Sequence, residues 1–255
     1  MATETFRKHR PGAPEGFFRA EAAGLRWLAE ATEDGGARIA RVIDAGDEHI
    51  EIERVAEGSP SRAAAEHFGR ALALTHASGA AGFGVPPDGW DGPCYIGRQL
   101  LPTGRFDSWG PFYAQLRLLP YADAAHRIGT LSGDGYAAVR AVCDRLHGGD
   151  FDDAARPSRI HGDLWAGNVL FARDGVVLID PAAHGGHRET DLAMLALFGA
   201  PHLEAILGGY AEAAGLEPGW RERIGLHQLH PLLVHAVTHG PSYGAQAALV
   251  ARRYA

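Results

Sequence analysis

The chain has 255 residues and a mass of 27.1 kDa, enough to bury roughly 70–75% of its unfolded surface in one large domain or two lobes. Twenty-four Lys and Arg against 31 Asp and Glu give a net charge of −7, which argues against general nucleic-acid binding. At 46% hydrophobic the chain is not bulk-disordered, and it contains neither an apolar run of about 18 residues nor a secretory h-region.

Residues 5–9 read as a short strand, broken by Pro11-Gly12-Ala13-Pro14. A helix follows over about 15–30, with Phe17, Phe18, Ala22, Leu25 and Leu28 on one stripe. Residues 38–45 and 49–55 read as two strands around Gly46-Asp47, the second alternating Ile50 and Ile52 with Glu51 and Glu53. Gly58-Ser59-Pro60 punctuates a hinge, and a helix is expected over 61–78. Residues 79–110 read as loop, 112–119 as helix, and 132–147 as a helix starting at Ser132-Gly133-Asp134. Short strands over 159–161, 169–172 and 176–179 surround a hairpin turn at Arg173-Asp174-Gly175. Beyond 188 the pattern is helical: 189–197, 202–214, 220–239 and 243–254. The expected plan is an α+β chain with a strand-bearing N-terminal lobe over 1–57 and a larger, mostly helical lobe over 58–255. A ligand would sit in the cleft between them.

The informative stretch is Ile160-His161-Gly162-Asp163-Leu164-Trp165-Ala166-Gly167-Asn168, followed after the hairpin by Ile179-Asp180-Pro181. Its polar positions, H-x-D-x-x-x-x-N and then a strand ending in Asp, have the spacing of the protein-kinase catalytic loop and metal aspartate. Phosphoryl transfer needs a carboxylate to accept the hydroxyl proton, here Asp163. It also needs hard oxygen ligands for Mg²⁺ on the phosphates of ATP, here Asn168 and Asp180. Taken singly, each has an ordinary reading as a cap or turn former; the joint spacing is what favours chemistry. Gly167 is expected at a positive-φ position.

HGDLWAGN followed by IDPAAHGGHRETDLAML resembles the fructosamine kinase (ketosamine-3-kinase) family, within the aminoglycoside phosphotransferase-like branch of the protein-kinase-like fold. The likeness extends to Arg19–Ala22, Tyr95-Ile96-Gly97, Trp109–Leu118, Pro218-Gly219-Trp220 and Arg252-Arg253-Tyr254, and so spans the chain. It implies an ATP-dependent cytoplasmic kinase acting on the 3-hydroxyl of a fructosamine or ribulosamine. Asp163 would activate that hydroxyl, and Asn168 and Asp180 would hold Mg²⁺. Lys8, the only lysine in the sequence, would pair with the ATP phosphates, held by Glu21. Glu53 and Val55 would form the hinge that meets adenine. Trp165, His184 and His187 would contact the sugar, and His161 and Asp191 would support the loop. No glycine-rich phosphate loop precedes Lys8, so the small lobe is expected to be about thirty residues short of the kinase plan.

Three other readings compete. One is a different small-molecule kinase, for aminoglycosides or choline, against which the Asp-Leu-Trp run argues. Another is a nucleotide-binding protein without turnover. The third is a metal hydrolase using His161, Asp163, Asp180 and His184. His235 and His239, at i and i+4, carry a further, minor metal reading. Cys94 and Cys143 are expected to be free thiols. The partner expected is a small-molecule ketosamine, with neither nucleic acid nor membrane, and the oligomeric state is not readable.

Overall fold

The computed structural model describes residues 4–255. Strand β1 (Thr5–His9) is followed by helix α1 (Phe17–Ala29), and a 3-10 turn leads to β2 (Arg38–Ile39), β3 (Val42–Ala45) and β4 (His49–Glu53). Strand β4 is central, antiparallel to β1 with Lys8 opposite Ile50, and antiparallel to β3. Ile50 and Ile52 point into the core at 0% and 3% exposure, as their alternation predicts.

The stretch 38–45 is not one strand. Arg38 and Ile39 pair in parallel with Val177 and Leu178, whereas residues 42–45 pair with β4. The chain changes sheets at Ala40-Arg41, where Ala40 N–H donates to Leu178 and Arg41 C=O accepts from Glu53 N–H. This crossover stitches the N-terminal sheet to the hairpin that carries the kinase-like motif.

Helix α2 (Arg62–Ala77) begins at Ser61, whose hydroxyl accepts from Ala64 N–H. Within the stretch read as loop lies a hairpin, β5 (Cys94–Ile96) and β6 (Gln99–Leu101), turning at Gly97-Arg98. Helix α3 (Trp109–Phe112) passes through a π-helical segment (Tyr113–Leu118) into α4 (Leu119–Arg127), and α5 (Gly133–His147) is capped by Ser132 as expected. Next come β7 (Ser158–Ile160), β8 (Val169–Ala172), β9 (Gly175–Leu178) and β10 (His184–Gly186). Helices α6 (Arg188–Phe198), α7 (Leu203–Ala214), α8 (Trp220–His239) and α9 (Pro241–Ala251) complete the chain. Helix α8 continues through Pro231.

Two apolar clusters form the core. One joins α1 and the N-terminal sheet to β8, β9, α2 and α7 through Phe18, Ile52, Phe68, Val177 and Tyr210. The other lies among α3–α5, α8 and α9 around Phe112, Tyr113, Val142 and Leu229. The first cluster runs across residue 57, so the small lobe rests on the motif hairpin and not on a separate core. No helix among the described residues is long and apolar enough to cross a membrane.

Candidate active site

Strand β7 delivers the chain into the loop His161–Gly167, and β8–β9 carries Asn168 and Asp180 at its two ends. Val169 pairs with Leu178, and Ile179 N–H donates to Asn168 C=O, so both functional side chains emerge at one end of the hairpin. The loop is pinned from behind by Asp191, in the first turn of α6 and fully buried. One carboxylate oxygen accepts from His161 N–H at 2.7 Å, the other from Gly162 N–H at 2.9 Å, and His76 Nε2 lies 3.1 Å away. Burial opposes the charge on Asp191, but His76 and these donors outweigh it and hold the carboxyl below its usual range. Gly162 has φ +80°, and a Cβ there would lie 2.3 Å from Ala182 C=O, so this turn requires glycine. Burial keeps the His161 ring neutral. Its Nε2–H donates to Ile179 C=O at 2.8 Å, and its Nδ1 accepts from Asp163 N–H at 3.3 Å.

Five charged or amide side chains then converge on one cleft of about 360 Å³. They are Lys8, Glu21, Asp163, Asn168 and Asp180. Lys8 Nζ lies 2.8 Å from Glu21 and 2.5 Å from Asp180. Burial acts to lower the Lys8 pKa, but the two carboxylates outweigh it and leave the pKa raised, so the cation is secure. Glu21 is itself pushed up by burial, only partly offset by Lys8. Asn168 Nδ2 donates to Asp163 C=O at 2.8 Å and reaches its carboxylate at 3.3 Å. Burial, with added repulsion from Asp180 and Asp191, raises Asp163 to about 7, against the Asn168 hydrogen bond. A carboxylate with a pKa near neutrality suits a proton acceptor at physiological pH. Asp180 adopts φ +55°, a left-handed conformation that aspartate tolerates better than most residues.

Several expectations are corrected in place. Gly167 is not among the positive-φ residues; the Trp165 indole lies against it, and a Cβ there would displace that ring. Trp165 remains 42% exposed and lines the cleft. His184 and His187 do not line it, being buried at 3% and 1%. His184 donates from Nδ1 to Ala182 C=O and accepts from Arg117 at Nε2. His187 caps α6 through Nδ1 and meets Asp153 through Nε2. With Glu189 and His227 it forms a buried group whose carboxylate is already paired with Arg223 at 2.9 Å. The resemblance implied sugar contact, but β10 turns the His184 ring inward and the start of α6 buries that of His187. Glu53 and Val55 also stand apart from the cleft: Glu53 faces Arg38 at 3.4 Å and Val55 packs on the first core. His235 and His239 stack ring on ring at 4.8 Å.

The β5–β6 hairpin, within the stretch expected to be loop, brings Cys94, Tyr95 and Gly97 to the cleft. Burial raises the Cys94 thiol to about 11, so it stays protonated. The apolar runs on either side of Gly97-Arg98 were the available signal. His76, in the last turn of α2, left none.

A strand-bearing small lobe on a helical large lobe, with Lys, Glu, Asn and two Asp in the cleft, defines a phosphotransferase of the protein-kinase-like fold. The fructosamine kinase model matches residues 2–254, and the chain belongs to that family. A protein of Enterococcus faecium named as a probable ketoamine kinase is 30% identical over 253 residues, covering 94% of this chain and 84% of its own. A second such protein, from Synechocystis, is 35% identical and covers 90% and 76%. A crystal structure from Thermobifida fusca, assigned as a fructosamine-3-kinase, superposes with a TM-score of 0.91 at 45% identity, covering 99% of this chain and 85% of that one. The gentamicin complex of an aminoglycoside phosphotransferase, APH(2")-IIa, shares the fold alone, with a TM-score of 0.61 at 9% identity over 98% of this chain and 87% of that one.

Proposed function

We propose that the chain transfers the γ-phosphoryl group of ATP to the 3-hydroxyl of a ketosamine, a fructosamine or ribulosamine, in deglycation or metabolite repair. The observation that carries this reading is that Asp163 lines two cavities at once. One is the cleft with Lys8, Asn168 and Asp180; the other opens toward α8. A base between a phosphate-side and an acceptor-side cavity stands where in-line transfer needs it.

Asp163 accepts the hydroxyl proton as the sugar oxygen bonds to the γ-phosphorus and the bond to the departing ADP breaks. His161 and Asp191 hold the loop, and so the carboxylate, in place. Lys8 neutralises phosphate charge, oriented by Glu21, and residues 1–57 supply the nucleotide side; Glu53 and Val55, outside the Lys8–Asp180 cavity, mark the hinge between the lobes. Asn168 and Asp180 fit a Mg²⁺ ion: both offer hard oxygen, and Asn168 already uses its Nδ2 on Asp163, which leaves its oxygen for another partner. The ion supplies charge neutralisation on the phosphates. Trp165 presents an apolar ring face to the sugar. His184 and His187 act from behind the wall and do not contact the sugar. The two buried free cysteines, Cys94 and Cys143, support a cytoplasmic enzyme.

The test is ADP release from Mg-ATP with an N-substituted fructosamine, a ribulosamine, an aminoglycoside and choline. Turnover confined to the ketosamines supports the reading; turnover with the other acceptors alone overturns it.

A further inference from the structure

The acceptor-side cavity has a composition of its own. It measures about 720 Å³, within the range of small-molecule sites. Its wall is a chain of rings. Trp165 meets Phe198 edge-on at 6.5 Å, Phe198 meets His235 at 5.2 Å, and His235 lies 4.8 Å from His239 and 5.0 Å from Tyr243. Trp165 and Phe198 are left 42% and 39% exposed, a large apolar area turned toward a concavity. His235 belongs to this wall as a neutral ring: burial lowers its pKa, and its Nδ1 is hydrogen-bonded to Pro231 C=O at 2.7 Å.

The charges in the cavity are as informative as the rings. Among the lining residues Asp163 is the only carboxylate and Arg98 the only Arg or Lys. Arg98 sits at the turn of the β5–β6 hairpin, exposed, and no ion-pair or hydrogen-bond partner is assigned to it among the described residues. Once a sugar hydroxyl lies on Asp163, the remaining space offers flat apolar walls and one unpaired guanidinium at its edge. A guanidinium of this kind matches a carboxylate.

We propose that the cavity selects the amine half of the ketosamine: the adduct of a free amino acid with an aromatic side chain, its ring among Trp165, Phe198 and Tyr243 and its α-carboxylate on Arg98. The proposal rests on the ketosamine reading above. A glycated lysine within a protein has its α-carboxyl tied up in a peptide bond and brings an aliphatic stem, so it satisfies neither feature. Arg98 is a specificity residue outside the phosphoryl-transfer machinery.

The experiment compares kcat/KM for four adducts of the same sugar: fructosyl-phenylalanine, its decarboxylated counterpart fructosyl-phenethylamine, fructosyl-glycine, and a lysine adduct blocked at both its α-amino and carboxyl groups. The phenylalanine adduct is expected to exceed each of the others about tenfold, the scale of one partly exposed charge-assisted contact or one buried ring face. In Arg98→Gln the preference over phenethylamine falls to near unity while the preference over glycine persists. In Phe198→Ala the reverse holds. Because the wild-type ratios need no variant, a misfolded variant does not rescue the proposal. Equal use of phenethylamine, better use of the blocked lysine adduct, or a carboxylate preference that survives Arg98→Gln overturns it. Absence of turnover with all four overturns the ketosamine reading itself, a result distinct from any ratio.

Discussion

Asp163 is held by contacts that do different work. Its backbone N–H is received by His161, Asn168 donates to both its carbonyl and its carboxylate, and burial sets its proton affinity near neutrality. Asp163→Asn keeps the shape and removes the proton acceptor, so kcat is expected to fall by about 10²–10⁴ with the fold intact by circular dichroism. Asp191→Ala acts differently. It strips partners from two buried N–H groups and from His76, and is expected to cost about 3 kcal/mol in urea unfolding. Loss of less than about 1 kcal/mol would show that the brace is dispensable. The motif residues were legible because phosphoryl transfer fixes their spacing in sequence. The roles of His184 and His187 were not. Nearness along the chain says nothing about which way a short strand or a helix start turns its rings: β10 turns His184 into the core, and His187 is buried as the cap of α6.

At the level of elements, helices α2 and α7 cross at contact distance over two glycines. A Cβ on Gly69 would meet Ile206 C=O at 2.0 Å, and one on Gly209 would meet Glu66 C=O at 2.1 Å. Gly69→Ala must therefore push backbone from backbone, with an expected destabilisation of about 2–3 kcal/mol by chemical denaturation. Gly208→Ala, next to the contact but facing open space, is expected to be neutral or slightly stabilising. If both behave alike, close packing of this pair is not what the glycines serve. The helices themselves were readable from periodicity and, at Ser132, from the cap. The sheet change at Ala40-Arg41 was not, because both halves are β-like and only the long-range partner, β9 or β4, distinguishes them. The β5–β6 hairpin escaped for a related reason: two three-residue strands in a glycine- and proline-rich stretch carry too little periodicity to stand out.

Across the whole molecule, stability and chemistry depend on charges buried away from the cleft as well as in it. Burial opposes ionisation of Glu189, but the Arg223 guanidinium, which donates to both carboxylate oxygens, outweighs it and holds the carboxyl down to about 2. A carboxylate lowered on folding stabilises the protein above its unfolded pKa, and that contribution disappears as pH falls through the folded value. Wild type is therefore expected to lose on the order of 2 kcal/mol, discounted for solvent screening, between about pH 4.5 and pH 2. Glu189→Gln is expected to flatten that part of the curve when unfolding is followed across the same range. A parallel decline in the variant would contradict the assignment.

Phosphoryl transfer through Asp163 is decided by measuring ADP release with Mg-ATP and a fructosamine, with ³¹P NMR of the product, for wild type and Asp163→Asn side by side. Ketosamine-dependent turnover, a single phosphate ester on the 3-oxygen, and a drop of at least about a hundredfold in the variant are expected. Undiminished turnover in Asp163→Asn, or nucleotide binding with no phosphate transferred to any ketosamine, would contradict transfer through Asp163.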